Sequence, residues 1–204
     1  MSRVLLATRN AKKLVELRRI VGAEVTVLGL DDLPPFPEEP ETGATFEENA
    51  LAKAVQAARE TGEIAVADDS GLAVDALNGM PGVLSARWAG RHGDDAANNA
   101  LLLAQLGDVP DERRGAMFVS AVAMAVPGAE PVVVRGEWRG RILRAGSGAN
   151  GFGYDPLFVP AESDEAGDGR TSAELAPAEK DALSHRGRAL AVLAPQLLAA
   201  VRAR

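Results

Sequence analysis

The sequence predicts an α/β protein built on a mixed β-sheet, and three observations carry that reading. Helical and strand periodicities interleave along the chain, with no linker that would separate independent domains. Two long apolar runs, 116–126 and 132–138, flank the turn-forming segment Pro127-Gly128-Ala129-Glu130-Pro131, so they read as a long hairpin that makes the sheet partly antiparallel. With 204 residues, 47% of them hydrophobic, the chain can bury a substantial core as a single domain over 1–204 or as two closely joined lobes.

In order, Arg3 to Ala7 reads as a first strand, and Lys13 to Val21 carries Leu14, Leu17, Ile20 and Val21 at helical spacing. Val25 to Leu28 is a second strand. Pro34, Pro35, Pro37 and Pro40 then enforce an extended, irregular segment bearing Glu38, Glu39 and Glu41. Thr45-Phe46-Glu47-Glu48 fits a capping box, Ala50, Leu51, Ala54, Val55 and Ala58 give the next helix its apolar face, and Gly62 ends it. Ile64 to Ala67 has the pattern of a short buried strand that delivers polar groups at its end, namely Asp68-Asp69-Ser70-Gly71. Asn78-Gly79-Met80-Pro81-Gly82 is turn chemistry, and Asp94 to Leu106 is a helix closed by Gly107. Beyond the hairpin, Leu157 to Val159 forms a last strand. Glu162 to Arg170 reads as a mobile acidic loop, and a helix runs from about Ser184 until Pro195 kinks or divides it.

Composition excludes several kinds of chemistry. There is no Cys, so disulfides, thiolate metal sites and Cys nucleophiles are ruled out. A formal charge of -7 argues against a general nucleic-acid binder, because affinity for polyphosphate backbones comes from clustered Lys and Arg. The first apolar run is too short for a signal peptide or a membrane span, which makes a cytoplasmic protein with no membrane partner the expectation. Of the 22 basic residues only Lys12, Lys13, Lys53 and Lys180 are lysines. A compact ammonium is a good point charge for phosphate, so these four draw attention, although for Lys12 chance is the simpler reading.

The strongest candidate is the Asp68-Asp69 pair. Two adjacent carboxylates next to a buried strand are costly without a metal, a cation or hydrogen-bond donors. Hard oxygen ligands suit Mg²⁺, which takes one or two carboxylates and completes its shell with water and substrate phosphates. The alternative is an Asp pair capping a turn before Gly71. Thr8-Arg9-Asn10-Ala11-Lys12-Lys13 joins a strand to a helix, where backbone N–H groups, a hydroxyl, an amide and lysine can converge on an anion, yet Thr and Asn also cap helices routinely. Lys53 lies mid-helix, where a solvated lysine is ordinary. Phe152 and Tyr154 flank Gly153 in a chain that is only 4% aromatic, which suits stacking on a planar base, although aromatics are more often core residues. Ser184-His185-Arg186 adds donors near the start of the last helix.

Together, and in this order, these segments resemble the inosine/xanthosine triphosphate pyrophosphatase family, which removes non-standard purine nucleotides. The carrying segments are Thr8 to Lys13, Glu41-Thr42-Gly43, Thr45 to Ala50, Ala67 to Leu72, Pro81-Gly82, Ser85-Ala86-Arg87, Gly151 to Pro156, Glu179-Lys180 and Ser184-His185-Arg186. The resemblance implies an elongated two-lobed α/β fold with the active-site cleft between the lobes, a homodimer, and Mg²⁺-dependent cleavage of ITP, dITP or XTP to the monophosphate and pyrophosphate. Carried over by position, Thr8, Arg9, Asn10, Lys12, Lys13 and Lys53 hold the triphosphate, and Glu41 and Asp69 serve the metal. Asp69 is also the catalytic base and Ser70 touches the substrate. Phe152, Gly153, Tyr154 and Asp155 form the base pocket, which Lys180, His185 and Arg186 close.

Arg9 stands where the family often has a small residue, and the loop from Glu162 to Arg170 is longer than the fold requires. A 6-keto purine offers an acceptor where adenine offers an amino donor, so donors from Lys180, His185 or Arg186 favour the former. The alternatives are a Maf-like pyrophosphatase acting on other modified nucleotides, a non-catalytic nucleotide sensor, and a phosphatase releasing single phosphates.

Overall fold

A computed structural model describes residues 3–21 and 25–203; the side chains of Lys12, Leu17, Ile20 and Val21 lie outside that description. The elements in order are β1 (Arg3–Leu6), α1 (Ala11–Val21), β2 (Thr26–Gly29), α2 (Phe46–Thr61), β3 (Ile64–Val74), α3 (Asp95–Gln105), β4 (Gly115–Ala125), β5 (Val132–Ile142), β6 (Phe158–Pro160), α4 (Ala161–Ala166), α5 (Pro177–Leu183) and α6 (His185–Arg202). Six strands form one sheet in the order β2-β1-β3-β4-β5-β6. β1 pairs in parallel with β2 and β3, while β5 and β6 are antiparallel, so the expected mixed α/β sheet is present. β4 and β5 are sheet neighbours joined by six residues, too few for a parallel crossover, which makes them the expected hairpin.

The chain divides into two compact units. The first comprises 1–69, 120–136 and 186–204, and the second 70–119 and 137–185. In the first, Val4, Leu6, Val27, Val66 and Val122 of the strands bury against Ala189, Leu190, Leu193, Leu197 and Val201 of α6. Those α6 positions recur at helical spacing, and each fully buried Leu contributes about 1.5–3 kcal/mol. This stripe runs past Pro195 and α6 is one continuous helix, so of the kink or division expected at Pro195 the division does not occur. Pro195 and Ala191, four residues before it, lie on the exposed face, where water can satisfy the carbonyl that proline leaves unbonded. The second unit is centred on Trp138, Phe118, Phe158, Leu102 and Leu106.

Three further expectations are corrected. The strand expected over Ile64 to Ala67 is longer: β3 continues through Asp68, Asp69, Ser70 and Gly71 to Val74, and the alternative of a turn capped by the Asp pair does not form. Gly71 is required by close approach, since a Cβ there would lie 2.4 Å from Ser85 Oγ and 2.6 Å from Gly82 O. The acidic stretch from Glu162 is largely helical and tied to β5. Glu162 accepts from the Trp138 indole at 3.0 Å, and Asp164 accepts both arms of Arg141 at 2.7 Å. Thr45 caps α2 by accepting from the Glu48 N–H at 3.1 Å, but Glu48 returns its bond to Ala44 N at 2.7 Å, which leaves the capping box half formed. Among the described residues no helix is long and apolar enough to cross a membrane.

Candidate active site

Neighbouring side chains of a strand point to opposite faces, and β3 uses that rule to separate its two acids. Asp68 faces α1, β4 and the start of α6. Its carboxylate receives Lys13 Nζ at 2.5 Å, Ser120 Oγ at 2.5 Å and Arg186 at 3.4 Å, and Arg186 also grips Glu16 of α1. Burial alone would raise the Asp68 carboxyl, but Arg186 and Lys13 outweigh it and hold the group well below the usual carboxylate range. Lys13 is pulled down as well. Burial lowers it, and although Asp68 opposes that shift, Arg186 and Lys53 add to it.

Asp69 faces α2. Asn49 donates to its Oδ2 at 3.0 Å, and Lys53 Nζ lies 3.4 Å from its Oδ1. The same ammonium sits 2.9 Å from Glu41 Oε1 and 3.0 Å from the Asp68 carbonyl. Burial would lower Lys53, but Asp69 and Glu41 raise it above its ordinary value. Asp69 itself is pushed up by burial and by the negative charge of Glu41, with Lys53 and Asn49 opposing. Glu41 is held near Asp69 from two sides. Gln56 of α2 accepts from Glu39 N at 3.1 Å and donates to Pro37 O at 2.8 Å, and Asn49 accepts from Gly43 N at 2.8 Å. Glu39, Glu41, Lys53 and Gln56 line one concavity.

The donor set fits Mg²⁺. Two carboxylates already converge on one cation, and their mutual repulsion is of the kind a divalent ion relieves. Among the described residues no cluster of three or more His, Asp or Glu suited to a metal occurs, so any ion here would rely on water and phosphate for most of its shell.

The segment between β1 and α1 is more ordinary. Asn10 accepts from Lys13 N at 3.3 Å and Thr8 Oγ1 from Asn10 N at 3.2 Å, both helix-entry bonds. Arg9 is bound to the surface acids Glu38 at 2.5 Å and Asp31 at 3.1 Å. The Lys12 side chain lies outside the described residues. Ser70 follows Asp69 in β3 and is half-buried.

The second unit builds a separate polar cluster. Asp155 is buried, and its Oδ2 accepts from Lys180 Nζ at 2.6 Å and from Phe152 N at 2.8 Å, while its Oδ1 accepts from Ser172 at 2.8 Å. Lys180 Nζ lies 5.3 Å from the centre of the Phe152 ring. Tyr154 is a core residue whose hydroxyl donates to Ser85 O at 2.8 Å. His185 is buried and stacked on Phe118 at 4.9 Å. Of the three expected donors, Lys180 joins Phe152 and Asp155, His185 stacks on Phe118, and Arg186 holds Asp68 and Glu16. Glu16, Asn49, Ser120 and Ser172 were missed from sequence. Only Asn49 had a signal, as part of the Thr45 to Ala50 motif.

A mixed α/β sheet carrying paired acids with lysines, together with an aromatic loop bearing a buried Lys–Asp pair, has the equipment of a nucleotide-handling protein. Comparison with known proteins narrows this class. A sequence profile of the Ham1 family matches residues 4–196. A protein of Nocardia farcinica named dITP/XTP pyrophosphatase is 69% identical over 98% of this chain and 96% of its own length. The crystal structure of a nucleoside-triphosphatase / dITP/XTP pyrophosphatase from Mycobacterium abscessus is 63% identical and covers 94% of this chain and 98% of its own, with a TM-score of 0.76. The Ham1 protein of Staphylococcus aureus, 38% identical, covers 97% of this chain and 98% of its own at a TM-score of 0.85. The chain belongs to the Ham1 family.

Proposed function

We propose that this protein hydrolyses the 6-keto purine triphosphates ITP, dITP and XTP to the monophosphate and pyrophosphate, with water attacking the α-phosphorus. The observation that carries the reading is the convergence of Glu41 and Asp69 on one buried-side ammonium, that of Lys53. The names of its relatives point the same way. Bound Mg²⁺, held by Asp69 and Glu41, would neutralise phosphate charge and favour departure of pyrophosphate. Asp69 accepts the proton of the attacking water, a role helped by a carboxyl whose proton affinity is raised above the ordinary. Asn49 fixes the orientation of that carboxylate. Lys53 and Lys13, with Thr8, Arg9, Asn10 and Lys12 at the entry to α1, stabilise the triphosphate and the charge growing on the leaving group. Ser70 contacts the substrate.

Base recognition falls to Phe152, Gly153, Tyr154 and Asp155 with Lys180, His185 and Arg186. Phe152 offers a ring face, Tyr154 anchors the segment in the core, and the donors match a keto oxygen. We further infer a cytoplasmic homodimer with no nucleic-acid or membrane partner.

Incubation with Mg²⁺ and ITP, dITP, XTP, ATP or GTP tests the reading through the phosphate species released. Pyrophosphate from the inosine and xanthosine nucleotides, in clear preference to ATP, is the expected result. Orthophosphate release, or equal turnover of ATP, overturns it. Asp69→Asn is expected to cut kcat by roughly 10²- to 10⁴-fold while leaving the thermal midpoint nearly unchanged. An active Asp69→Asn protein removes Asp69 from the role of base.

A further inference from the structure

The segment Phe152 to Asp155 is bonded to helix α3. Asp95 and Asn99 of α3 are four residues apart and therefore share a helix face. Asp95 Oδ2 accepts from Gly153 N at 2.8 Å, and Asn99 Nδ2 donates to Gly153 O at 2.9 Å. Both backbone polar groups of one residue are thus taken by one helix. Gly153 has φ +61°, in the left-handed region that favours glycine, and it is the hinge between Phe152 and Tyr154. On either side the segment is already anchored, through Phe152 N to Asp155 and through Tyr154 to Ser85 O. The bonds at Gly153 N and O tie the segment to α3 between those anchors.

The side chains match this task. Asn99 Oδ1 is buried and has no partner among the described residues, so the amide serves this contact through its donor alone. Its neighbour Asn98 performs a different job, accepting from Ala89 N at 2.7 Å and donating to Ala86 O at 3.3 Å. The pairing at Gly153 is therefore separate from the bonds that fold the preceding loop.

We propose that Asp95 and Asn99 are positioning residues that clamp Gly153, orient the Phe152 ring beside Lys180, and thereby set the preference for a keto purine base. The inference rests on the reading of Phe152 to Asp155 as the base pocket. A clamp of this kind acts on base binding and leaves the phosphate chemistry of the first unit untouched. Loss of it raises KM and reduces discrimination, with little change in kcat.

The test measures kcat and KM for ITP and ATP, and the thermal midpoint, in Asn99→Asp, Asp95→Ala, Asp95→Asn and Phe152→Ala. Asn99→Asp replaces the donor by carboxylate oxygens facing a carbonyl, and Asp95→Ala removes the acceptor by an independent route. Each is expected to raise KM for ITP roughly tenfold and to shrink the ITP-over-ATP preference to a similar extent, with kcat within about twofold. Asp95→Asn keeps an acceptor oxygen and is expected to restore most of what Asp95→Ala loses. Unchanged preference in both breaking variants, or kcat falling together with the thermal midpoint, overturns the clamp. Phe152→Ala separates the two levels. If it loses discrimination while the α3 variants do not, the clamp fails and the base pocket stands. If Phe152→Ala also keeps full discrimination, the base-pocket reading itself fails.

Discussion

Asp68 and Asp69 are chemically identical neighbours with opposite surroundings. Asp68 sits between Lys13 and Arg186 and is held ionised, whereas Asp69 is pushed toward protonation beside Glu41. The first suits a fixed structural charge and the second a proton acceptor. For Asp68 the consequence for stability has a definite sign. Its folded value is depressed, so its contribution is present above the ordinary carboxylate pKa and is lost as pH falls through the folded value. Removing one member of a buried ionic cluster typically costs about 3 kcal/mol. Denaturant titrations of wild type and Asp68→Asn are therefore expected to differ by about that amount at pH 7, with the gap closing as pH falls below about 4. A gap that stays constant down to pH 3 contradicts the assignment. The sequence marked both acids but could not divide their roles, because the partners Lys13, Ser120, Arg186, Asn49 and Lys53 come from four other elements.

Elements were legible where local chemistry decides them and obscure where packing does. Thr45 and Gly62 announced the ends of α2, and the cluster of Pro and Gly at 127–131 announced the β4–β5 turn. β3 outruns its apolar start, Ile64 to Ala67, because the polar stretch Asp68-Asp69-Ser70-Gly71 finds hydrogen-bond donors and, at Gly71, a close approach that suit an extended chain. α4 was hidden for a related reason. Its acids read as solvated, yet two of them are matched to Trp138 and Arg141 on β5. Pro195 does not divide α6, whose apolar stripe continues on both sides of it. The Gly71 contact gives an element-scale prediction. Gly71→Ala forces a methyl onto the Gly82 carbonyl and Ser85, and is expected to lower stability by about 1–3 kcal/mol in thermal or denaturant unfolding. A variant as stable as wild type would mean that β3 and the 82–87 turn are not so closely apposed.

At the scale of the molecule, the Glu41–Lys53–Asp69 cluster falls in the first unit and the Phe152 to Asp155 segment with Lys180 in the second. β3 carries the chain from one to the other, with Asp69 ending the first unit's opening stretch (1–69) and Ser70 beginning the second unit's (70–119). The order of motifs along the chain made the family legible without any single decisive signature. What could not be read was the wiring within each unit, since Glu16 to Arg186 and Asp95 to Gly153 span long sequence separations with no local pattern. In the proposed mechanism Asp69 directs water onto the α-phosphorus. Hydrolysis of ITP in oxygen-18 water, with mass analysis of both products, tests it most directly. The label is expected in the monophosphate and not in pyrophosphate. Label found in pyrophosphate would mean attack at the β-phosphorus and would contradict the mechanism assigned to Asp69.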